Sequence, residues 1–181
     1  GIYFYLIKKN FLAIFLICLS ASIHPTYVLH SGFLITGILI YYFLNKEYKL
    51  LTQILILYSI LILPITIYIL QNFILIGPDS VIEGQKIMLS RIPHHADINN
   101  WFSYKDVLSI FLYFISLFVI KNKTKIFIPV LIFGFLSIIL SVLQFFIDNN
   151  SLALAFPWRS SVFLIPLSTM IIFSFIINKY I

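Results

Sequence analysis

A chain of 181 residues that is 61% hydrophobic and only 10% charged cannot hide its apolar surface in a water-soluble fold, since soluble domains carry about 25% charged residues. Its net charge of +6 does not point to nucleic acid, because the lysines cluster at the ends of apolar runs, as positive-inside topology requires. Cys18 is the only cysteine, so no internal disulfide forms. Apolar runs near the ~20 residues that cross a bilayer recur along the chain, and only a helix satisfies its own backbone in lipid. The expected fold is therefore all-α: a polytopic transmembrane helical bundle forming one integral membrane domain over residues 1–181. Because residue 1 is Gly and not Met, the chain is expected to be a piece of a longer polytopic protein, with residues 2–7 the tail of an upstream element.

Residues 11–44 carry no charge, and as one helix they would reach about 51 Å, too long for one crossing. His24-Pro25 breaks the run, because the residue before proline avoids helical geometry and proline lacks a backbone donor. That gives a short first span at 10–23, a turn at 24–26 and a second span at 27–44. A basic loop at 45–49 leads to a third span at 50–76, with Pro64 expected to kink it. The long polar stretch 77–103 precedes a fourth span at 104–120. A basic loop at 121–125 leads to the fifth span at 126–147, and the polar loop 148–159 to the sixth at 160–177.

Six spans keep Lys8, Lys9, Lys46, Lys49, Lys121, Lys123, Lys125 and Lys179, with Glu47, on one side, which the positive-inside rule makes cytoplasmic. Every His, both Arg and the other five acidic residues fall on the opposite side. Any chemistry is expected there, on the periplasmic or extracellular face of a bacterial plasma membrane.

Polar residues also run along the spans in stripes. The fourth carries Asp106, Ser109, Tyr113 and Ser116, and the fifth Gly134, Ser137, Ser141, Gln144 and Asp148, each on one helical face. The third carries Thr52, Ser59 and Thr66. Such faces should turn toward protein or a cavity. They serve either as helix–helix contacts or as an outward-open polar cleft between the fourth and fifth spans, with Asp106 and Asp148 at its rim.

In the first long outer loop, Ser80 and Glu83 have capping-box spacing. Val81, Ile82, Met88 and Leu89 recur at helical spacing, predicting a short amphipathic helix on the outer surface that ends by Pro93. Trp101 and Trp158 lie just outside spans, where indole favours the interface. After that helix, Arg91-Ile92-Pro93-His94-His95-Ala96-Asp97 is the densest group of functional residue types. Arg91 offers a planar fork for phosphate or carboxylate. His94 and His95 transfer protons near neutral pH or ligate a metal, and Asp97 can orient a His or act as a base. Arg159 with Trp158, and His24 with His30, add to the same side. A divalent cation is the one cofactor these residues suit, although no ligand spacing demands it.

The RIPHH run after an amphipathic outer helix, the earlier His24-Pro25 and the later Pro157-Trp158-Arg159 resemble a family of bacterial multi-pass membrane proteins. That family is in turn similar to polyprenol-dependent GT-C glycosyltransferases and surface-polysaccharide polymerases. The resemblance implies transfer of a sugar from a polyprenyl-phosphate-linked donor on the outer face. Arg91 and Arg159 would then hold the donor phosphate, with His24, His30, Asp106, Asp148 and Trp158 completing the binding site. His94 or His95 would assist proton transfer, and Glu83 or Asp97 would supply the carboxylate that such enzymes place in the first outer loop. Asp79 is a further candidate for it. That first outer turn, 24–26, holds no acid in this chain. The expected partners are the lipid bilayer and that lipid-linked sugar, with no nucleic acid and with the oligomeric state open. Two alternatives compete: a transporter or flippase for an anionic lipid or solute, and a non-catalytic subunit of a membrane complex.

Overall fold

The computed structural model describes residues 1–75, 77–91, 104–120, 124–147, 152 and 156–180, and these form helices with no strand among them. The elements are α1 (Ile2–Leu6), α2 (Asn10–Ile23), α3 (Tyr27–Leu44), α4 (Tyr48–Ile69), a π turn (Leu70–Ile74), α5 (Pro78–Arg91), α6 (Tyr104–Val119), α7 (Phe127–Ile147), a 3-10 turn (Pro157–Ser160) and α8 (Ser161–Tyr180).

Helices stand at all six positions where spans were expected. Four segments, Tyr27–Leu44, Tyr48–Asn72, Phe127–Ile147 and Pro157–Tyr180, are long and apolar enough to cross a membrane, as an integral membrane protein requires. Helices α2 and α6 have 14 and 16 residues, about 21 and 24 Å, and fall short of that length. Exposed Ile56, Ile60 and Leu63 on α4 and Met170 and Phe173 on α8 form outer faces that would be untenable in water.

Local chemistry sets the breaks. His24 is extended (φ −135°, ψ 106°) immediately before Pro25, ending α2. Two reversals use the same device: Lys8 (φ 63°) and Lys46 (φ 59°) take left-handed backbone. The amides of Lys9 and Glu47 reach back to the carbonyls of Phe4 and Tyr42, at 2.8 and 2.9 Å. Those of Lys8 and Lys46 reach Tyr5 and Phe43, at 3.1 and 3.0 Å. This is the Schellman closure of a helix end, with lysine where glycine is favoured. Helix α4 runs through Pro64 without interruption and loosens into the π turn only afterward.

Helix α3 is the hub. One face joins Ile35, Ile38 and Tyr42 to Tyr5, Ile14, Cys18 and Ile54 of α1, α2 and α4. The other brings Phe33 against Tyr113, Val130, Phe133 and Leu164 of α6, α7 and α8. The approach of α3 to α7 is a backbone contact: a Cβ on Gly37 would lie 2.6 Å from Pro129 Cα. On α7, Gly134 makes room for the Tyr113 ring, whose hydroxyl donates to the carbonyls of Leu131 (3.1 Å) and Val130 (3.3 Å). Helix α6 is tied to α8 by Ser116 donating to Ser168 Oγ at 3.1 Å, both fully buried.

Three expectations change. Helix α5 begins at Pro78, and the Gly77 carbonyl accepts the amides of Ser80 and Val81, so Ser80 lies inside the first turn and is not a cap. Thr52 and Ser59 on α4 are exposed, not turned inward. For Thr52 the reason is clear: its hydroxyl donates to its own helix at the Tyr48 carbonyl, 3.0 Å, which removes the cost of facing lipid. Trp158 is no interfacial anchor. It is 2% exposed, packed edge-on against Phe156, and with it seats Met88 and Leu89 of α5.

Candidate functional site

Two polar neighbourhoods lie at opposite ends of α3. Tyr42, near its C-terminal end, belongs with Asn10, Glu47 and Lys125, whereas His30 is near its N-terminal end, about 18 Å away along the axis.

The lysine end is closed. Lys125 Nζ donates to the Tyr5 carbonyl and to Asn10 Oδ1 (3.1 Å), and stands 4.0 Å over the Tyr5 ring centre and 5.6 Å from that of Tyr42. Tyr42 donates to the same Asn10 oxygen (2.8 Å), and Tyr5 donates to the Lys125 carbonyl (3.0 Å). Burial lowers the Lys125 ammonium below the usual lysine value, partly offset by Glu47. Burial also raises the Tyr5 phenol, so it stays neutral. In the sequence Lys125 carries only a topology signal, because its partners Tyr5, Asn10 and Tyr42 lie far off in the chain.

The His/Arg end holds two cavities that share Leu164 as a wall. The first, about 320 Å³, lies between α6, α7 and α8 and is closed by the 3-10 turn. Asp106, Ser109, Tyr113, Ser137 and Ser141 all line it, with Trp158, Ser160 and Ser161. Both expected stripes therefore meet, and they divide by depth. The deeper Tyr113, Ser116, Gly134 and Ser137 are buried helix contacts, while Asp106, Ser109 and Ser141 border space. The cleft is less polar than its residue names. Ser109, Ser137 and Ser141 donate to the carbonyls of Lys105, Phe133 and Ser137, at 2.8, 2.7 and 2.7 Å, so the wall offers mainly carbon. Exposed Val142, Phe145 and Phe146 flank it.

The second cavity, about 380 Å³, is bordered by Gly1 with α1, and by α2, α3, α7 and α8, and lined by His30, Ser20, Tyr27, Phe133 and Phe163 among others. His30 is 2% exposed and ringed by Tyr27, Phe33, Phe133 and Phe163 at 6.1–6.3 Å between centres. Its Nδ1 lies 2.9 Å from the Thr26 carbonyl. His24, by contrast, is exposed, with Nδ1 2.8 Å from Thr26 Oγ1 and its ring 5.0 Å from that of Tyr27.

Arg159 sits in the turn that borders the first cavity, which its neighbours Trp158 and Ser160 line. The guanidinium lies 5.6 Å from the Phe156 ring centre, and Phe156 takes left-handed backbone (φ 50°) to start the turn. The structure thus puts Asp106 and Trp158 on the first cavity and His30 on the second, with Arg159 in the turn beside Trp158 and His24 on the exposed turn before Tyr27. It leaves Glu83 and Arg91 exposed on α5. His94, His95, Asp97 and Asp148 lie outside the described residues, as does Trp101. Among the described residues no three His, Cys, Asp or Glu side chains gather as a metal site. No protein-family model, curated protein or solved structure matches this chain.

Proposed function

We propose that this chain works on an anionic lipid-linked substrate of the polyprenyl-phosphate sugar class, at the end carrying His24, His30, Asp106 and Arg159. The observation that carries the reading is the first cavity. It is apolar, flanked by exposed Val142, Phe145 and Phe146, and closed by the turn that bears Arg159. An isoprenoid segment suits carbon walls, and the guanidinium of Arg159, carried by the turn whose Trp158 and Ser160 line them, suits a phosphate. Asp106 on the cavity wall is the carboxylate best placed to accept a proton from an acceptor hydroxyl. Arg91, at the end of α5, and the 94–97 segment next to it are the remaining candidates for phosphate and proton handling.

In this reading six helices cross a bacterial plasma membrane with the lysine loops in the cytoplasm. The shorter α2 and α6 are accommodated by local thinning of the bilayer. Transport through the bundle is the weaker reading. The gap between α6 and α7 is filled at depth by Tyr113 against Gly134, and Ser116 is joined to Ser168.

The test is a profile of polyprenyl-linked sugars and surface glycans in a deletion strain complemented with wild type, Arg159→Ala or Asp106→Asn. The expected result is a lost glycan or an accumulated lipid-linked precursor, corrected by wild type alone while both variants insert normally. An unchanged profile in the deletion strain overturns the reading. Full complementation by both variants would move the chain to a non-catalytic role.

A further inference from the structure

We infer that the second cavity is a separate binding site for an apolar molecule carrying a hydroxyl group, a lipid alcohol, recognised by His30. A carbonyl can only accept, so His30 Nδ1, 2.9 Å from the Thr26 carbonyl, carries the proton. The neutral ring then presents Nε2 as a lone-pair acceptor. That nitrogen is buried and has no hydrogen-bond partner among the described residues. An unsatisfied buried acceptor is costly and rare. Here it belongs to a residue lining about 380 Å³ of otherwise mainly aliphatic and aromatic space.

Three hydroxyl-bearing residues, Ser20, Tyr27 and Ser31, also line the cavity, and of these Ser31 already donates to the Val28 carbonyl at 2.8 Å and pairs with Tyr58 at 3.1 Å. The demand of the cavity is therefore specific. It offers apolar walls, one strong acceptor and hydroxyls that can give or take. A hydrocarbon would leave Nε2 unpaired. A phosphate would bring a charge among Leu34, Phe133, Phe163 and Leu167, which cannot solvate it. One alcohol O–H satisfies Nε2 with no charge buried. The site is distinct from the Arg159 cavity, since its polar end is a neutral imidazole.

The experiment uses the full chain in lipid nanodiscs with ¹⁵N-labelled histidine, titrated with farnesol, with the hydrocarbon farnesene, and with farnesyl phosphate. The His30 resonance is identified by its absence in His30→Phe. The expected result is saturable farnesol binding that shifts the His30 Nε2 signal, with farnesene at least about tenfold weaker, the value of one hydrogen bond. His30→Phe keeps the ring and its cage and should weaken farnesol by a similar factor. Ser20→Leu, an apolar change on a membrane helix, should fill the cavity and abolish the shift.

Equal binding of farnesol and farnesene with a silent Nε2 overturns the inference. So does an Nε2 signal that never responds, as when upstream chain or water meets the nitrogen. Farnesyl phosphate binding here in preference to farnesol overturns it too. None of those outcomes touches the Arg159 cavity, whose own test is the glycan profile.

Discussion

The two ends of α3 solve opposite problems. At the lysine end a half-buried cation is held by several partners: Lys125 meets a carbonyl, an amide oxygen and two ring faces. At the other end a buried imidazole keeps one ring nitrogen without a partner among the described residues, on the wall of a cavity. Satisfied polar networks rigidify a fold, and an unsatisfied group persists where something else uses it. The contrast makes the lysine end a structural clamp, and the proposed function places the chemistry at the other end.

The largest expected effect removes the contrast altogether. Both ends depend on α3 lying against α7, and the Gly37–Pro129 approach is backbone to helix, with no side chain able to yield. Gly37→Ala should cost about 3 kcal/mol, the upper range for overpacking. It should loosen both ends together, read as a lowered unfolding temperature in detergent and increased hydrogen exchange in α3 and α7. Exchange rising at one end alone would separate the two ends mechanically.

Next are paired substitutions that should move stability in opposite directions. Lys125→Met strips the clamp of its cation and should cost about 1–2 kcal/mol, because Asn10 and the Tyr5 carbonyl keep other donors, from Tyr42 and the Lys8 amide. His30→Phe removes an unpaired buried nitrogen and should leave stability unchanged or raise it by about 1 kcal/mol. Destabilisation of the same size by both would erase the distinction between the two ends.

A smaller effect concerns the docking of α5. Met88 and Leu89 rest on Phe156 and Trp158, so Met88→Ala should free α5. The cost should be about 1 kcal/mol or less to the fold, because that contact is peripheral. Tryptophan fluorescence should redden as Trp158 gains water, with the lysine end unaltered. Unchanged fluorescence would mean that α5 does not shield Trp158.

The smallest effects sharpen the lysine end. Lys46 holds left-handed backbone at φ 59°, so Lys46→Gly should stabilise by about 0.5–1 kcal/mol. Burial lowers Lys125 from the usual value of 10.5. Between its folded value and 10.5 the folded state binds fewer protons than the unfolded state, so stability contributed by this group rises with pH across that window. The raised phenol of Tyr5 acts in the opposite sense in wild type and variant alike. The readout is therefore the difference in the slope of unfolding temperature against pH just below 10.5, which should be more positive in wild type than in Lys125→Met. Equal slopes in the two proteins would assign the pH dependence to other groups.

How much of this could be read in advance depends on the range of each interaction. The helices at 10–23 and 27–44 were legible to the residue, because Pro25 and the end of an apolar run are local signals. The inward stripes of α6 and α7 were legible from spacing, and they do share a cavity. The α4 stripe was not, because its outward face depends on which neighbours α4 has. Trp158 read as an interfacial residue from its position, and became a buried one because α5 folds back onto it.

The sequence by itself determined an all-helical, lipid-compatible chain, and its charge pattern set the expectation that lysines and functional residue types sort to opposite sides. Hydropathy, proline geometry and charge placement act within one helix or one loop. Tertiary structure alone decided which of those residues are spent and which are left over. Lys125 is matched by Tyr5 across 120 positions of chain. His30 is orphaned by a cage of rings drawn from α3, α7 and α8. Pairing of that kind depends on how distant helices approach one another, and no local pattern encodes it.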